Sequence, residues 1–267
     1  MKKRLAAVAA ACAMLMLTVT PAQAITYGRR DGNRHPNVGA LVAEYVEPGQ
    51  KDLLCSGTLI SKRDFVTASH CTVFLPSVGV DPDEVWITFD PTFDENSPLI
   101  PATYHTNPRY GHDSADLADV AVVVTDRPVS GRTPARLPRL HLLDRLAADN
   151  GLHGQDFTAV GYGVQERQVG GGRPSFPDAM ERFFAVSEFR ALTKTWLRLS
   201  QNPATGEGGT CYGDSGGPNF IGAGADETDI VVAVTVTGDA VCRATNTDYR
   251  LDTPSARSFL GRFVELP

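Results

Sequence analysis

Hydrophobic residues come in short runs along this chain, not in long stripes. Val38–Tyr45, Leu53–Ile60, Glu84–Phe89, Val120–Thr125, Phe157–Tyr162, Arg182–Phe189, Trp196–Ser200 and Ile230–Thr237 are rich in Val, Ile, Thr and Phe, with Gly, Pro, Asp and Asn between them. β-Branched and aromatic side chains fit a pleated, half-buried surface, and the flanking residues bend the backbone, so each run predicts a strand. Many short strands separated by turns predict a sandwich or barrel and argue against βαβ units. Two stretches carry helical spacing. Thr253 is placed to cap, Pro254 fits a first turn, and Ala256, Phe259, Leu260, Phe263 and Val264 follow at i, i+3, i+4, i+7 and i+8. Leu140–Ala148 is a less regular candidate, within a stretch from about residue 127 to 156 that reads as the joint between two halves. Gln165–Pro177, with glycines at 170, 171 and 172, predicts a mobile surface loop.

One apolar run is different in kind. Lys2, Lys3 and Arg4 precede the apolar stretch Leu5–Val19, and Ala22-Gln23-Ala24 follows as a small-x-small site. This is the layout of a secretory signal peptide cleaved after Ala24, and the run is shorter than the 20 or so residues that span a bilayer. Removing residues 1–24 takes away three cations, leaving 22 basic against 31 acidic residues and a net charge of −9. No other run of lysine or arginine exists, so the chain lacks the basic footprint of a nucleic-acid binder. The expectation is an acidic, exported, soluble protein with no membrane contact after cleavage.

Export changes how the cysteines read. Cys55, Cys71, Cys211 and Cys242 remain, an even number in an oxidising compartment, which favours disulfides. Spacing suggests two local pairs, Cys55–Cys71 and Cys211–Cys242, among the three connectivities that four cysteines allow. No C-x-x-C or H-E-x-x-H pattern offers a metal site, and none is expected. Asp81, Asp83 and Glu84 form a loop cluster that the sequence leaves undecided between solvated acids and a calcium site.

The richest stretch for chemistry is Gly213-Asp214-Ser215-Gly216-Gly217-Pro218. A serine nucleophile needs an exposed hydroxyl beside N–H groups that can receive a developing oxyanion, and glycines let the backbone turn to supply them. It also needs a base. Of six histidines only His70 has a cysteine-bounded context, Thr67-Ala68-Ser69-His70-Cys71; His35, His105, His112, His141 and His153 read as surface or internally satisfied residues. The base in turn needs a carboxylate to fix its tautomer. Asp119, at the mouth of the apolar strand Val120–Val123, is placed for this, with Asp116 as its rival. G-x-S-x-G also marks the nucleophile elbow of α/β-hydrolases, where the histidine follows the serine. No histidine follows Ser215, and the order here is His, Asp, Ser.

Cys211–Pro218 as C-x-G-D-S-G-G-P, Thr67–Cys71 as T-A-x-H-C and Cys55–Ile60 as C-S-G-T-L-I together resemble the chymotrypsin/trypsin family of secreted serine proteases, across essentially the whole mature chain. In that family a proline follows the strand aspartate by nine residues; Pro128 stands at that offset from Asp119 and selects it over Asp116. The resemblance implies an all-β fold of two packed antiparallel six-stranded barrels with a C-terminal helix, the first barrel over about 25–140 and the second over about 150–267. It implies a triad of His70, Asp119 and Ser215, an oxyanion hole from the amides of Gly213 and Ser215, and both cysteine pairings. It also implies that Ile25, exposed by leader cleavage, pairs its amine with Asp214. Peptide hydrolysis through an acyl-enzyme then needs no cofactor. Protein or peptide substrates, protein inhibitors and a monomeric state are expected.

Two departures from trypsin itself stand out. Gly209 occupies the position of the pocket-floor aspartate, six residues before the serine, and Thr247 matches a position where elastase-like enzymes carry a bulkier residue. With Thr210, Thr237 and Gly238 expected on the walls, the pocket should take small or medium uncharged side chains, although Asp239 nearby offers a basic group some attraction. The strand Val234-Thr235-Val236-Thr237 carries threonine where the family has a serine bonded to the triad aspartate. An esterase acting in its own right, and a weakly active homologue serving as a binding or regulatory protein, are the alternatives.

Overall fold

The computed structural model describes residues 25–165 and 180–267; the expected leader and all of the Gln165–Pro177 loop except Gln165 lie outside them. After β1 (Arg29–Arg30), six strands close the first barrel: β2 (Val38–Ala43), β3 (Asp52–Leu59), β4 (Asp64–Thr67), β5 (Val85–Thr88), β6 (Ile100–His105) and β7 (Ala121–Thr125). They pair antiparallel in the order β2-β3-β4-β7-β6-β5, with β5 returning to β2. The second barrel uses β8 (Asp156–Gly161), β9 (Phe183–Leu192), β10 (Trp196–Ser200), β11 (Pro218–Ile221), β12 (Val231–Gly238) and β13 (Thr245–Arg250). Its order is β9-β10-β13-β12-β11-β8, closed by β8 on β9. Closure pairs the end strands of each barrel with one another, and only the two-residue β1 hangs on the second barrel as an edge among the described residues.

Each barrel has its own interior. Leu41, Leu59, Phe65, Ile87 and Val123 fill the first; Phe157, Leu197, Leu199 and Val232 fill the second. A third cluster lies between them, where Val38, Val66 and Val122 meet Val160, Val234 and Tyr249. The helix α2 (Pro254–Leu260) seals this seam with Ala256, Phe259 and Leu260. Thr253 caps it by accepting from Ala256 N at 3.2 Å. The helix stops at Leu260, short of the predicted spacing, and Phe263 and Val264 pack onto the seam from the turn that follows. The shorter α1 (Leu142–Ala148) lies in the joint between the barrels and buries Leu143.

The seam also has a polar rivet. Arg182, fully buried, donates to Asp31, to the carbonyls of Val38, Phe89 and Gly32, and to the Tyr162 hydroxyl. His35 is held between Asp31 and Glu227.

Eight strands lie where the hydrophobic runs predict them, and β1, β4, β6, β11 and β13 are additions. The N-terminal segment is a correction. Residues 25–30 were expected with the first barrel, but Arg29 and Arg30 pair with Phe184 and Phe183 of β9, and Thr26 bridges to Gly209.

Candidate active site

His70 sits in a single 3-10 turn, Ser69–Cys71, that follows β4. The turn is pinned from three sides. Cys71 is bonded to Cys55 of β3, closing a loop with a sequence separation of 16, worth about 3 kcal/mol in the chain-entropy model. The Ser69 hydroxyl donates to Val120 O at 2.8 Å and accepts from Asn107 N at 3.1 Å. Asp119, 1% exposed, accepts from His70 N through Oδ1 and from His70 Nδ1 through Oδ2, both at 2.9 Å. A carboxylate on Nδ1 places the ring proton there, leaving Nε2 to accept a proton on the open side. Asp116 is engaged elsewhere, accepting from the Tyr249 hydroxyl at 2.7 Å.

Ser215 comes from the loop between β10 and β11. Ser56 ties this loop to the first barrel: its N–H donates to Ser215 O at 2.9 Å and its hydroxyl to Gly213 O at 3.0 Å. Gly216, at φ +78°, makes the close approach. A Cβ there would lie 2.0 Å from Thr67 Oγ1 and 2.7 Å from Ala68 N, so only glycine lets the loop rest on the segment leading into His70. The loop amides divide into two sets. Asp214, Gly216 and Gly217 each donate to a carbonyl, whereas among the described residues the N–H groups of Gly213 and Ser215 donate to nothing. No hydrogen bond joins the Ser215 hydroxyl to His70 among the described residues; such contacts are often long in a free site and tighten with substrate.

The trypsin family model matches residues 31–259. The chain belongs to the trypsin family. It is thereby a serine protease of the chymotrypsin type at the level of family, and none of the curated proteins matches it. No helix among the described residues is long and apolar enough to cross a membrane.

In this trypsin-family chain the loop before the serine is closed by Cys211–Cys242, the second of the two expected pairs. Beside Ser215 lies a cavity of about 210 Å³ lined by Thr210, Thr235, Thr237, Gly238 and Asp239. Two expected lining residues fall elsewhere. At Gly209 the space is filled from behind: a Cβ there would lie 2.1 Å from Gln201 Oε1. Thr247 sits on the half-exposed face of β13, and its neighbours Asn246 and Asp248 take the buried face, as the two-residue period of a strand requires. Thr235 does not serve Asp119; its hydroxyl accepts from Asn219 Nδ2 at 3.2 Å. Burial works against the charge of Asp239, but the amides of Thr245, Ala244 and Arg243 outweigh it and hold its carboxyl below the usual range.

Asp214 is wholly buried and accepts from Gly163 N and Cys211 N, both at 2.8 Å. Those two bonds do not offset burial, which pushes its carboxyl up to about 7. Ile25 is also buried, against Phe183 and Ala185. It follows Ala24 in the intact chain and therefore has no free amine here; no hydrogen bond joins it to Asp214 among the described residues. In the 81–84 loop, Glu84 accepts from Asp81 N at 2.9 Å. No motif points to Gln201, Asn246 or Asp248; the one sign of Gln201 is the opening left by glycine at 209.

Proposed function

We propose that this protein is a secreted serine endopeptidase, cleaving peptide bonds after small or medium uncharged residues through a Ser215–His70–Asp119 triad and an acyl-enzyme. The observation that carries the reading is the pair of undonated amides at Gly213 and Ser215, on a loop seated against the approach to His70. Backbone donors in folded proteins are almost always paired, so two free ones flanking a single serine are suited to a developing oxyanion.

Ser215 Oγ attacks the substrate carbonyl while His70 Nε2 takes its proton and then passes it to the leaving amine. Asp119 holds the ring in the correct tautomer and stabilises its cation. The amides of Gly213 and Ser215 receive the oxyanion, and loss of one such donor raises a barrier by roughly 2.7–4 kcal/mol. Water, activated by the same His70, releases the acyl group. Every proton and charge in this cycle has a side chain or an amide to serve it.

Leader cleavage after Ala24 completes the site in this reading. The new Ile25 amine, ordinarily titrating near 8, pairs with Asp214 and supplies the cation that buried carboxyl lacks. The two disulfides and the signal-like N-terminus support an oxidising, extracytoplasmic destination. The test is the intact mass of the secreted protein before and after a fluorophosphonate probe, with peptide mapping. A chain beginning at Ile25 with one adduct on Ser215 is expected. A folded chain that takes no adduct would overturn the reading in favour of a binding protein.

A further inference from the structure

The ring of His35 is buried, 5% exposed, and meets a carboxylate at each nitrogen. Nδ1 bonds Asp31 Oδ1, and Nε2 bonds Glu227 Oε1 at 2.6 Å. The two acids come from different places. Asp31 lies on the segment that runs into β2 of the first barrel, whereas Glu227 belongs to the connection between β11 and β12 of the second. Phe220 of β11 stacks on the imidazole at 5.7 Å, and Phe184 of β9 tilts against it at 5.9 Å.

This arrangement fixes where the proton sits. A neutral imidazole has one N–H and one bare lone pair. Here the bare nitrogen would face a carboxylate oxygen, acceptor against acceptor, unless an acid held the proton instead. Neither acid is suited to hold it. Asp31 Oδ2 accepts from Arg182 Nε at 2.8 Å and from His35 N at 3.1 Å. Glu227 Oε2 accepts from Arg34 at 3.0 Å and from the Thr158 hydroxyl at 2.9 Å. A guanidinium beside each acid favours its carboxylate form, so the ring carries both protons. Burial works against a charged imidazole, but the bonds to Asp31 and Glu227 outweigh it and hold the His35 pKa above the ordinary value.

We propose that His35 is a proton-operated latch between the two barrels. As an imidazolium it ties the segment entering β2 to the second barrel through Glu227. As a neutral ring it can donate to only one of its two acids, and the tie loses one of its buried bonds. Arg182, Asp31, His35, Glu227 and Arg34 form one chain of alternating charge, and the remaining neighbours Thr158, Phe184 and Phe220 carry none. The Arg34 bond to Glu227 does not make up the loss, because that side chain is 39% exposed and its charge is screened by water. The folded state holds the His35 proton more tightly than an unfolded chain does. The latch is therefore fully closed below about pH 6.5, the ordinary value for histidine, and gives way as pH rises above it. None of this depends on the protease reading.

Thermal melts of the wild-type protein and His35→Gln, followed from pH 6 to pH 10, test it. Glutamine can serve one acid but cannot carry the charge. The variant should melt about 10 °C lower at pH 6, because removing one member of a buried charge chain leaves the others uncompensated. That gap should narrow steadily toward pH 10. Asp214 titrates alike in both proteins and drops out of the difference. A gap that stays constant across the range would mean that His35 only fills space, and overturns the latch. If His35→Gln does not fold, nitrogen-15 spectra of the wild-type histidine rings decide. At pH 7 both ring nitrogens of His35 should carry a proton, and a ring with one bare nitrogen overturns the proposal. Glu227→Gln, which gives the ring a neutral partner, should move the loss of that proton to lower pH; an unmoved titration overturns the role of Glu227 and the latch with it.

Discussion

In the first barrel, His70 and Asp119 already hold each other, and the turn that carries His70 is pinned by a disulfide and by Ser69. In the second, Ser215 stands on a loop whose two flanking amides donate to nothing among the described residues. There Asp214 is buried and accepts only from the backbone amides of Gly163 and Cys211 among the described residues. On the protease reading proposed above, the contrast follows from what each half has to do. An orienting pair must be rigid before substrate arrives, because its geometry is what it contributes. A recognition half keeps its bonding capacity open, and the group it binds makes good the deficit.

If the two halves act as one machine, the largest effects should not add. Ser215→Ala and His70→Ala should each lower kcat by about 10⁶-fold, and the double variant should be no worse than either single change. Additive losses would mean that the halves work separately. Next in size, Asp119→Asn should lower kcat about 10⁴-fold by spoiling the His70 tautomer. Asp116→Asn, which keeps an acceptor for the Tyr249 hydroxyl and the Ala118 amide, should change kcat less than about twofold. The reverse ranking in the same peptide assay would reassign the acid.

The unfinished half makes a pH prediction. In a chain retaining a residue before Ile25, burial holds the folded Asp214 carboxyl up at about 7, against about 3.9 for an ordinary aspartate. The folded state holds that proton more tightly, so stability is full below about pH 4 and falls as pH rises toward 7, by on the order of 4 kcal/mol. A chain starting at Ile25 brings its own cation and should escape the fall. Thermal melts of the two forms should therefore diverge between pH 4 and pH 7, by on the order of 10 °C. A gap that does not change with pH would break the Ile25–Asp214 pairing. The smallest effect belongs to Thr235→Val, which takes a partner from Asn219: about 1 kcal/mol of stability, with kcat changed less than about threefold. A tenfold loss in kcat would show that Thr235 reaches Asp119 during turnover.

The same contrast decided what the sequence could reveal. First-barrel strands alternate or run apolar, and Thr67–Cys71 announces its own chemistry, so His70 and its acid were legible. The strands that escaped notice have physical reasons. β4 spans four residues, β6 carries Pro101, and β11 begins at Pro218 inside the serine motif. β13 reads Thr-Asn-Thr-Asp-Tyr-Arg because its inward positions hold Asn246 and Asp248, and a hydrophobic pattern cannot report a barrel wall that is polar inside. That polar wall backs the pocket, so the stretch hardest to read is also where this chain departs from trypsin. Thr247 pairs with Thr237 of β12 on the half-exposed face of β13, and the residues lining the cavity do not include it.

The two ends of the described chain cross over. Residues 25–30 lie along the second barrel, while α2 covers the seam and Phe263 rests 5.2 Å from the His105 ring of β6 in the first. Each half is therefore fastened by a piece encoded beside the other, in the manner of a parcel whose string is tied last. A ribosome that has finished residues 25–253 has made every strand and every member of the triad, yet the apolar wall between the barrels still faces water. The seam between the barrels is therefore covered only after the last residues of the described chain have emerged.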